Sequence, residues 1–180
     1  MPFLKMAFEG FAGDGKTFTA TQIAIGLHKK IGSTKPIAIF DTEKAAKALA
    51  QEFDRAGIEC VVDQDNRSLK SLTDAITWCE SGGADILIID SITHVWENFL
   101  NAYMEWKKRS RLEFQDWGYI KPKWKADFSD KFVNAKVHII FTGRAGFEYE
   151  TEINADTQKR EIFKSGIKMK AESETQFEPD

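Results

Sequence analysis

The chain has few features of secreted, membrane-bound or nucleic-acid-coating proteins. Its only cysteines, Cys60 and Cys79, lack metal-ligand spacing, so we expect reduced, structural thiols in a cytoplasmic protein. The longest apolar runs are strand-sized, which argues against a membrane span, and the first residues lead into a strand without room for a secretory signal. The net charge of −3 argues against a generally basic coat protein, although a local basic groove stays possible.

The length and composition are those of one globular unit. The chain has 180 residues, of which 42% are hydrophobic, and this is enough to bury one good core. The sequence contains no internal repeat and no low-complexity linker. We therefore expect residues 1–180 to form a single domain.

The stretch GFAGDGKT, residues 10–17, has the spacing of a phosphate-binding loop. Glycines let the backbone turn tightly and direct successive N–H groups at anionic oxygens. Lys16 would bring a positive charge to the β- and γ-phosphates, and the Thr17 hydroxyl would ligate Mg²⁺. A helix that begins near Lys16 would direct the positive end of its dipole at the phosphates. The predicted nucleotide-binding residues are Gly10, Phe11, Ala12, Gly13, Asp14, Gly15, Lys16, Thr17 and Phe18.

Strand-like and helix-like patterns alternate around this loop. A short apolar run precedes it, and apolar residues at helical spacing follow it until Gly32, which predicts the end of the first helix. The predicted strands are 3–8, 36–41, 58–62, 85–90 and 137–142, with helices between them and a loop at 107–117. Residues 147–152 and 159–163 flank Asn154-Ala155-Asp156-Thr157, a pattern typical of a β-hairpin. The prediction is an α/β fold with a mainly parallel sheet flanked by helices and a C-terminal β-hairpin annex.

Two acidic residues stand where predicted strands end, which is where α/β sheets bind ligands. Asp90 follows four branched apolar residues and is the candidate metal-holding carboxylate; a helix N-cap is the alternative interpretation, although the neighbouring Ser91 could fill that role. Glu43 follows the second strand of the phosphate-loop unit and is the candidate general base that orients the attacking water. Its spacing fits equally well a first-turn glutamate favoured by the helix dipole.

Three segments together resemble the RecA-like branch of P-loop ATPases: GFAGDGKT, IAIFDTE and ILIIDSIT. The resemblance implies a RecA-like P-loop NTPase fold, ATP and Mg²⁺ as ligands, and a catalytic role for Glu43. The later stretches EFQDWGYIKPKW, VHIIFTGRAGFEYE and SGIKMKAESETQFEPD resemble phage-encoded AAA-type ATPases, some of which are single-strand annealing or recombination proteins. This implies single-stranded DNA as a partner and the host cytoplasm as the location.

The resemblance also implies two roles near the C-terminus. Arg144, after the last buried strand, would be a sensor of the γ-phosphate; a surface arginine is the alternative. Lys168 and Lys170 resemble the paired basic finger that RecA-like subunits insert into a neighbour's site, which implies a homo-oligomer, whereas simple alternation on an edge strand would explain the same residues. The similar ATPases continue into another strand beyond FEPD, so we expect a C-terminal truncation relative to them.

Basic and aromatic residues are interleaved at 106–125, WKKRSRLEFQDWGYIKPKWK. Single-strand binding uses this mixture, because cations follow the phosphates and rings stack on bases. A solvated basic helix end with core tryptophans is the alternative, and the acidic Glu113 and Asp116 favour it. The candidate DNA-binding residues are Lys107, Lys108, Arg109, Arg111, Trp117, Lys121, Lys123 and Trp124. The hairpin is a second candidate surface.

Two other function classes use the same phosphate loop. A small-molecule kinase would need an arginine-rich lid and an acceptor-binding pair, neither of which is clear here. A nucleotide-dependent switch would bind nucleotide with negligible turnover. A GTPase is disfavoured, since Asp90-Ser91-Ile92-Thr93 lacks the glycine of a D-x-x-G switch and the chain has no N-K-x-D motif. A Mg²⁺-dependent ATPase coupled to single-stranded DNA is the leading hypothesis.

Overall fold

A computed structural model describes residues 2–153 and 160–179, and in it a central parallel sheet carries the phosphate loop at one edge. Five strands run parallel in the order β1-β5-β4-β2-β3. The strand that follows all the helices, β5, is therefore inserted between the phosphate-loop strand β1 and the strand β4 that ends at Asp90. The strands are β1 Lys5–Gly10, β2 Ile37–Asp41, β3 Cys60–Asp63, β4 Ile86–Asp90, β5 His138–Ile153 and β6 Arg160–Met169.

Helices cover both faces of this sheet. The helices are α1 Lys16–Ile31, α2 Ala46–Ala56, α3 Leu69–Trp78, α4 Ile92–Trp106, α5 Trp117–Trp124 and α6 Asp130–Asn134. Alternate residues of the strands point into two separate apolar clusters, as the period of a strand requires. Helices α1 and α2 pack on one face of the sheet, where Ile88 of β4 contributes to the apolar cluster. Helices α3 to α6 pack on the other face, which receives Ile89.

Helices α1 and α2 both end at a glycine, and for α1 this is the predicted Gly32. Gly32 and Gly57 have positive φ values of 65° and 67°, and each donates its N–H to carbonyls of the preceding helical turn. A side chain at either position would be strained, because L-residues rarely adopt this left-handed conformation. The first helix accordingly stops at Gly32, and the chain turns back towards β2.

The segment before β5 forms a nearly continuous helical region from residue 117 to 134, in which a π-helical turn, Lys125–Ser129, joins α5 to α6. Its inner stripe has a spacing of four residues, and all of its members are fully buried: Ile120, Trp124, Phe128 and Phe132. The rings of Trp124, Phe128 and Phe132 contact one another in succession, and Phe132 packs edge-on against Phe141 of β5. The predicted loop followed by a helix is therefore confirmed, and the helix buries large aromatic side chains against the sheet.

The final hairpin is confirmed, with a longer second strand than the sequence pattern indicates. Strand β5 leaves the parallel sheet near Ala145 and pairs with β6 in antiparallel register, with an irregularity between Glu148 and Tyr149. The pattern placed the second strand at 159–163, whereas β6 continues to Met169. It does so because Met169 is buried against the main core, opposite Ala145. The predicted turn at 154–157 lies outside the described residues.

Candidate nucleotide-binding site

The loop between β1 and α1 has the backbone that its glycines predict. Gly13 and Gly15 have positive φ values of 90° and 78°, which glycine adopts without strain. A Cβ at Gly10 would lie 2.8 Å from a carboxyl oxygen of Asp14, so a side chain here would have to displace the Asp14 carboxylate. The same Asp14 oxygen accepts the N–H of Phe11 at 2.7 Å and closes the turn. The loop is thus a tight turn with exposed backbone.

Helix α1 begins at Lys16, directly after the loop. Its first turn contains no acidic residue, so its unpaired N–H groups and the positive end of its dipole are available to an anion. The Lys16 ammonium lies over the loop and donates to the Phe11 carbonyl at 2.7 Å. The loop borders a cleft of about 350 Å³ that Glu43 and Arg144 also line. This combination of groups is suited to binding an anion.

A buried carboxylate lies at the bottom of the site between two hydroxyl groups. Asp90, at the end of β4, is 2% exposed. The Thr17 hydroxyl donates to one of its oxygens at 2.9 Å, and the Thr142 hydroxyl of β5 donates to the other at 2.5 Å. Burial raises the pKa of Asp90, and the two hydroxyl donors oppose this shift. A positive ion beside Asp90 would compensate for the burial of its charge.

The oxygen donors here fit Mg²⁺ held jointly by protein and phosphate. Thr17 and Asp90 contribute a hydroxyl and a carboxylate, the ligand types that Mg²⁺ prefers. Within residues 2–153 and 160–179, no group of three or more His, Cys, Asp or Glu side chains could hold a metal by itself. Mg²⁺ commonly uses one or two protein ligands together with substrate phosphates and water. The N-cap alternative for Asp90 is not needed, because Ser91 occupies that position of α4.

The candidate base, Glu43, is held by three partners at the side of the cleft. Its Oε1 atom accepts from Arg144 Nε at 3.0 Å and from the Ser91 hydroxyl at 3.2 Å, and it lies 3.9 Å from His94 Nε2. Burial alone would raise the pKa of Glu43, but the hydrogen bond and charge of Arg144, with smaller contributions from His94 and Ser91, hold that pKa below its usual value. Glu43 is therefore ionised at neutral pH, as a base must be.

The backbone around Glu43 belongs to a turn and not to a helix. A carboxyl oxygen of Asp41 accepts the N–H groups of Glu43 and Ala45, both at 3.1 Å. The Asp90 carbonyl also accepts the Glu43 N–H, at 3.2 Å, and this ties the turn to the end of β4. Helix α2 begins only at Ala46. Glu43 is thus not a first-turn glutamate, and the turn directs it to the cleft.

Residues 3–178 match a family described as an AAA domain. The chain belongs to this family. No curated protein matches the chain. Among solved structures, a KaiC-like protein from the hyperthermophilic archaeon Pyrococcus horikoshii OT3 is 16% identical, with a TM-score of 0.47, over 92% of this chain and 81% of that one. Family membership agrees with the P-loop and the sheet order and confirms the predicted resemblance to P-loop ATPase domains.

The structure of the AAA domain adds site residues that the sequence patterns did not reveal. Thr142 and His94 were not assigned roles, yet one contacts Asp90 and the other lies beside Glu43. Ser91 was expected to cap α4, but its hydroxyl donates to Glu43 and makes no cap hydrogen bond. His94 is four residues after Asp90, a spacing that places it on the first turn of α4 near the strand end. This spacing from Asp90 is the sequence signal that could have identified His94 as a site residue.

The two lysines of the predicted trans finger lie on β6 and just after it. Lys168 is exposed and pairs with Glu148 of the neighbouring strand at 2.9 Å. Lys170 is also exposed, and its N–H donates to the Arg144 carbonyl at 2.7 Å. Neither lysine lines the cleft formed by the phosphate loop, Glu43 and Arg144. Their predicted action on a neighbouring subunit stays a prediction.

The candidate DNA-binding residues divide into buried, ion-paired and exposed groups. Trp124 is fully buried, and its indole N–H donates to Thr175 at 3.0 Å, so its ring cannot stack on a base at the surface. Trp117 is half-buried against Trp96. Three cations pair with carboxylates: Arg109 with Glu113 and Asp116, Lys121 with Glu172, and Lys123 with Asp127.

An exposed remainder of this stretch keeps the predicted character. Lys107, Lys108 and Arg111 are exposed and make no ion pair within the part of the chain that the structure describes. The Lys107 ammonium lies 4.3 Å from the ring centre of Trp106, which is 64% exposed. Two further exposed rings belong to the same stretch, Phe114 and Tyr119. We call these six residues, Trp106, Lys107, Lys108, Arg111, Phe114 and Tyr119, the aromatic–basic patch.

The hairpin exposes aromatic side chains beside the nucleotide site. Phe147 of β5 contacts Phe11 of the phosphate loop, with ring centres 5.1 Å apart. The Lys164 ammonium lies 3.7 Å from the centre of the same Phe147 ring. The hairpin therefore touches the loop that would hold the phosphates.

Among the described residues, no helix combines the length and apolar character needed to cross a membrane.

Proposed function

We propose that this AAA-family chain is a single RecA-like domain that hydrolyses ATP with Mg²⁺. The observation that carries the proposal is the convergence of Lys16, the Thr17–Asp90 pair and Glu43 on one cleft, although they come from distant parts of the sequence. A loop that only bound a phosphate would not require an oriented and ionised carboxylate across the cleft. Glu43 supplies such a group.

Each side chain has a separate task in the proposed reaction. The loop N–H groups and Lys16 bind the phosphates, and Thr17 and Asp90 hold Mg²⁺, which neutralises charge on the β- and γ-phosphates when it is bound. Glu43 orients the attacking water and accepts a proton from it. The hydroxyl of Ser91 keeps Glu43 in position.

Arg144 would connect the base to the phosphate. Its guanidinium is 47% exposed, lines the cleft and donates to Glu43 at 3.0 Å. An arginine in this position can exchange a carboxylate for a γ-phosphate, because both are oxyanions that accept its N–H groups. We therefore propose that Arg144 senses the γ-phosphate and that Glu43 changes partners when nucleotide binds.

We also propose that turnover is coupled to single-stranded DNA, in an oligomer in which Lys168 and Lys170 act on the neighbouring subunit. The exposed rings and unpaired cations of the aromatic–basic patch support a DNA surface, since stacking and phosphate contacts are the usual means of single-strand binding. The annealing-type ATPases that the sequence resembles suggest a role in phage recombination or replication, in the host cytoplasm.

The decisive experiment measures ATP turnover with Mg²⁺, with and without single-stranded DNA, for the natural protein and for Glu43→Gln. We expect the variant to bind ATP normally and to lose roughly 10²- to 10⁴-fold in kcat, the usual contribution of a general base. Any stimulation of ATP turnover by DNA should also be lost in this variant. If Glu43→Gln and Lys16→Ala lose binding equally, Glu43 is not the base.

Turnover that ignores DNA would contradict the coupling and leave the ATPase proposal intact. Phosphoryl transfer to an added small-molecule acceptor, without release of free phosphate, would replace the ATPase proposal with a kinase. Nucleotide binding with negligible turnover would replace it with a switch.

A further inference from the structure

His94, like Arg144, lies beside Oε1 of Glu43, and it is largely enclosed by protein. It belongs to the first turn of α4, and its side chain is 10% exposed. One ring nitrogen contacts the turn that follows β2: Nδ1 is 3.0 Å from the Thr42 hydroxyl. Its other nitrogen, Nε2, lies 3.9 Å from Glu43 Oε1. The imidazole therefore lies between Thr42 and Glu43, two consecutive residues of the turn, with a hydrogen bond to the first and its other nitrogen near the second.

The surroundings of Thr42 restrict how this ring can turn. The Thr42 hydroxyl is buried and accepts the Ser91 N–H at 2.8 Å. It also lies within hydrogen-bonding distance of the Asp90 and Ser91 carbonyls. The hydroxyl has one proton, which goes either to one of these carbonyls or to Nδ1. When it goes to Nδ1, the neutral ring carries its own proton on Nε2, and this N–H faces the Glu43 carboxylate. Electrostatics favour this tautomer, because the other one would direct a lone pair at a negative charge.

Arg144 and His94 differ in what else they can contact. Arg144 is half-exposed and borders the nucleotide cleft, so it is able to leave Glu43 for a phosphate. His94 is not among the residues that line this cleft, and its ring is anchored at Thr42. If Arg144 turns to the nucleotide, then of these two partners only His94 remains beside Glu43.

We propose that His94, anchored at Thr42, is a positioning residue that holds Glu43 in its catalytic orientation during turnover. The inference rests on the proposed role of Glu43 as the base. It assigns His94 no contact with nucleotide. The sequence pattern alone indicated only a helix at this point. In the structure, the neighbours of His94 in the chain, Thr93 and Val95, are buried.

The first test separates positioning from substrate binding. We expect His94→Ala to lower kcat roughly 10- to 100-fold, the scale of a catalytic group displaced by about 1 Å, and to leave KM for ATP nearly unchanged. His94→Gln, whose amide can occupy the place of Nε2, should recover more activity than His94→Asn, whose amide can reach only the place of Nδ1. His28→Ala is the matched control, because in the described chain the side chain of His28 on α1 makes its one hydrogen bond with the Lys35 carbonyl, away from Glu43.

The second test combines the substitutions. In a Glu43→Gln background, His94→Ala should cause little further loss of kcat, because the group that it positions is already absent. An undiminished loss in that background would overturn the inference and indicate a general structural role for His94.

The third measurement does not depend on turnover. His94 contributes to lowering the pKa of Glu43, so His94→Ala should raise that pKa in a carboxyl ¹³C NMR titration of nucleotide-free protein, with Glu43→Gln used to assign the signal. An unchanged Glu43 pKa would overturn the proposed contact. If the natural protein binds ATP without turnover, the proposed function fails, and the NMR titration still decides whether His94 and Glu43 interact.

Discussion

The nucleotide edge of the sheet and the stretch at 106–125 were both rich in candidate residues, yet the structure treats them differently. At the nucleotide edge, Lys16, Thr17, Glu43 and Asp90 converge on one cleft or its floor. In the stretch at 106–125, the candidates are divided between the core, local ion pairs and the surface. The difference shows which kinds of sequence pattern specify the direction of a side chain.

The nucleotide edge is predictable because its motifs constrain the backbone. The glycine spacing permits only a tight turn before α1, and residues that follow parallel strands must emerge at the same edge of the sheet. The stretch at 106–125 carries a compositional pattern and no such constraint. In α5, helical periodicity directs Trp124 into the core, while Lys121 and Lys123 find acidic partners that composition does not reveal.

The largest expected effect concerns Trp124, which distinguishes a core residue from a DNA-stacking one. We expect Trp124→Ala to lower the free energy of unfolding by about 3–5 kcal/mol, because it removes a fully buried ring and leaves a cavity. Trp106→Ala, the matched control in the aromatic–basic patch, should cost less than about 1 kcal/mol. Urea denaturation followed by circular dichroism measures both. Equal losses would mean that the two tryptophans do not differ in burial as described.

The exposed cations of the aromatic–basic patch should carry whatever DNA affinity this stretch has. Replacing Lys107, Lys108 and Arg111 by glutamine should reduce the slope of log affinity against log salt by about 2, if each contacts one phosphate of a single strand. The control replaces Lys121 and Lys123, which already pair with Glu172 and Asp127 and should change the slope less. Fluorescence titration of a labelled oligonucleotide at several salt concentrations compares them. An unchanged slope in the first variant would move the DNA surface elsewhere, with the hairpin as the next region to test.

The smallest expected effect is a shift of the pH profile when Arg144 is replaced. Burial opposes ionisation of Glu43, and Arg144 is the main group that holds its pKa below the usual value. Without Arg144 this pKa rises, so kcat/KM for ATP, which reports pKa values of the free enzyme, should begin to fall at a higher pH as the solution is acidified. Arg55→Ala, which removes an arginine paired with Glu52 on α2, is the control. An acid limb that does not move in Arg144→Ala would show that Arg144 does not control the ionisation of Glu43 in the nucleotide-free enzyme.

The sequence by itself determined the alternation of strands and helices, the phosphate loop and the positions of Glu43 and Asp90. These follow from local chemistry: glycine at positive φ, apolar periodicity, and carboxylates directly after buried strands. Tertiary structure alone decided the rest. The insertion of β5 between β1 and β4 brings Thr142 to Asp90, and the packing of α4 beside the β2 turn brings His94 to Thr42 and Glu43. These contacts join residues about 50 positions apart, and no local pattern encodes which distant side chain a buried polar group will find.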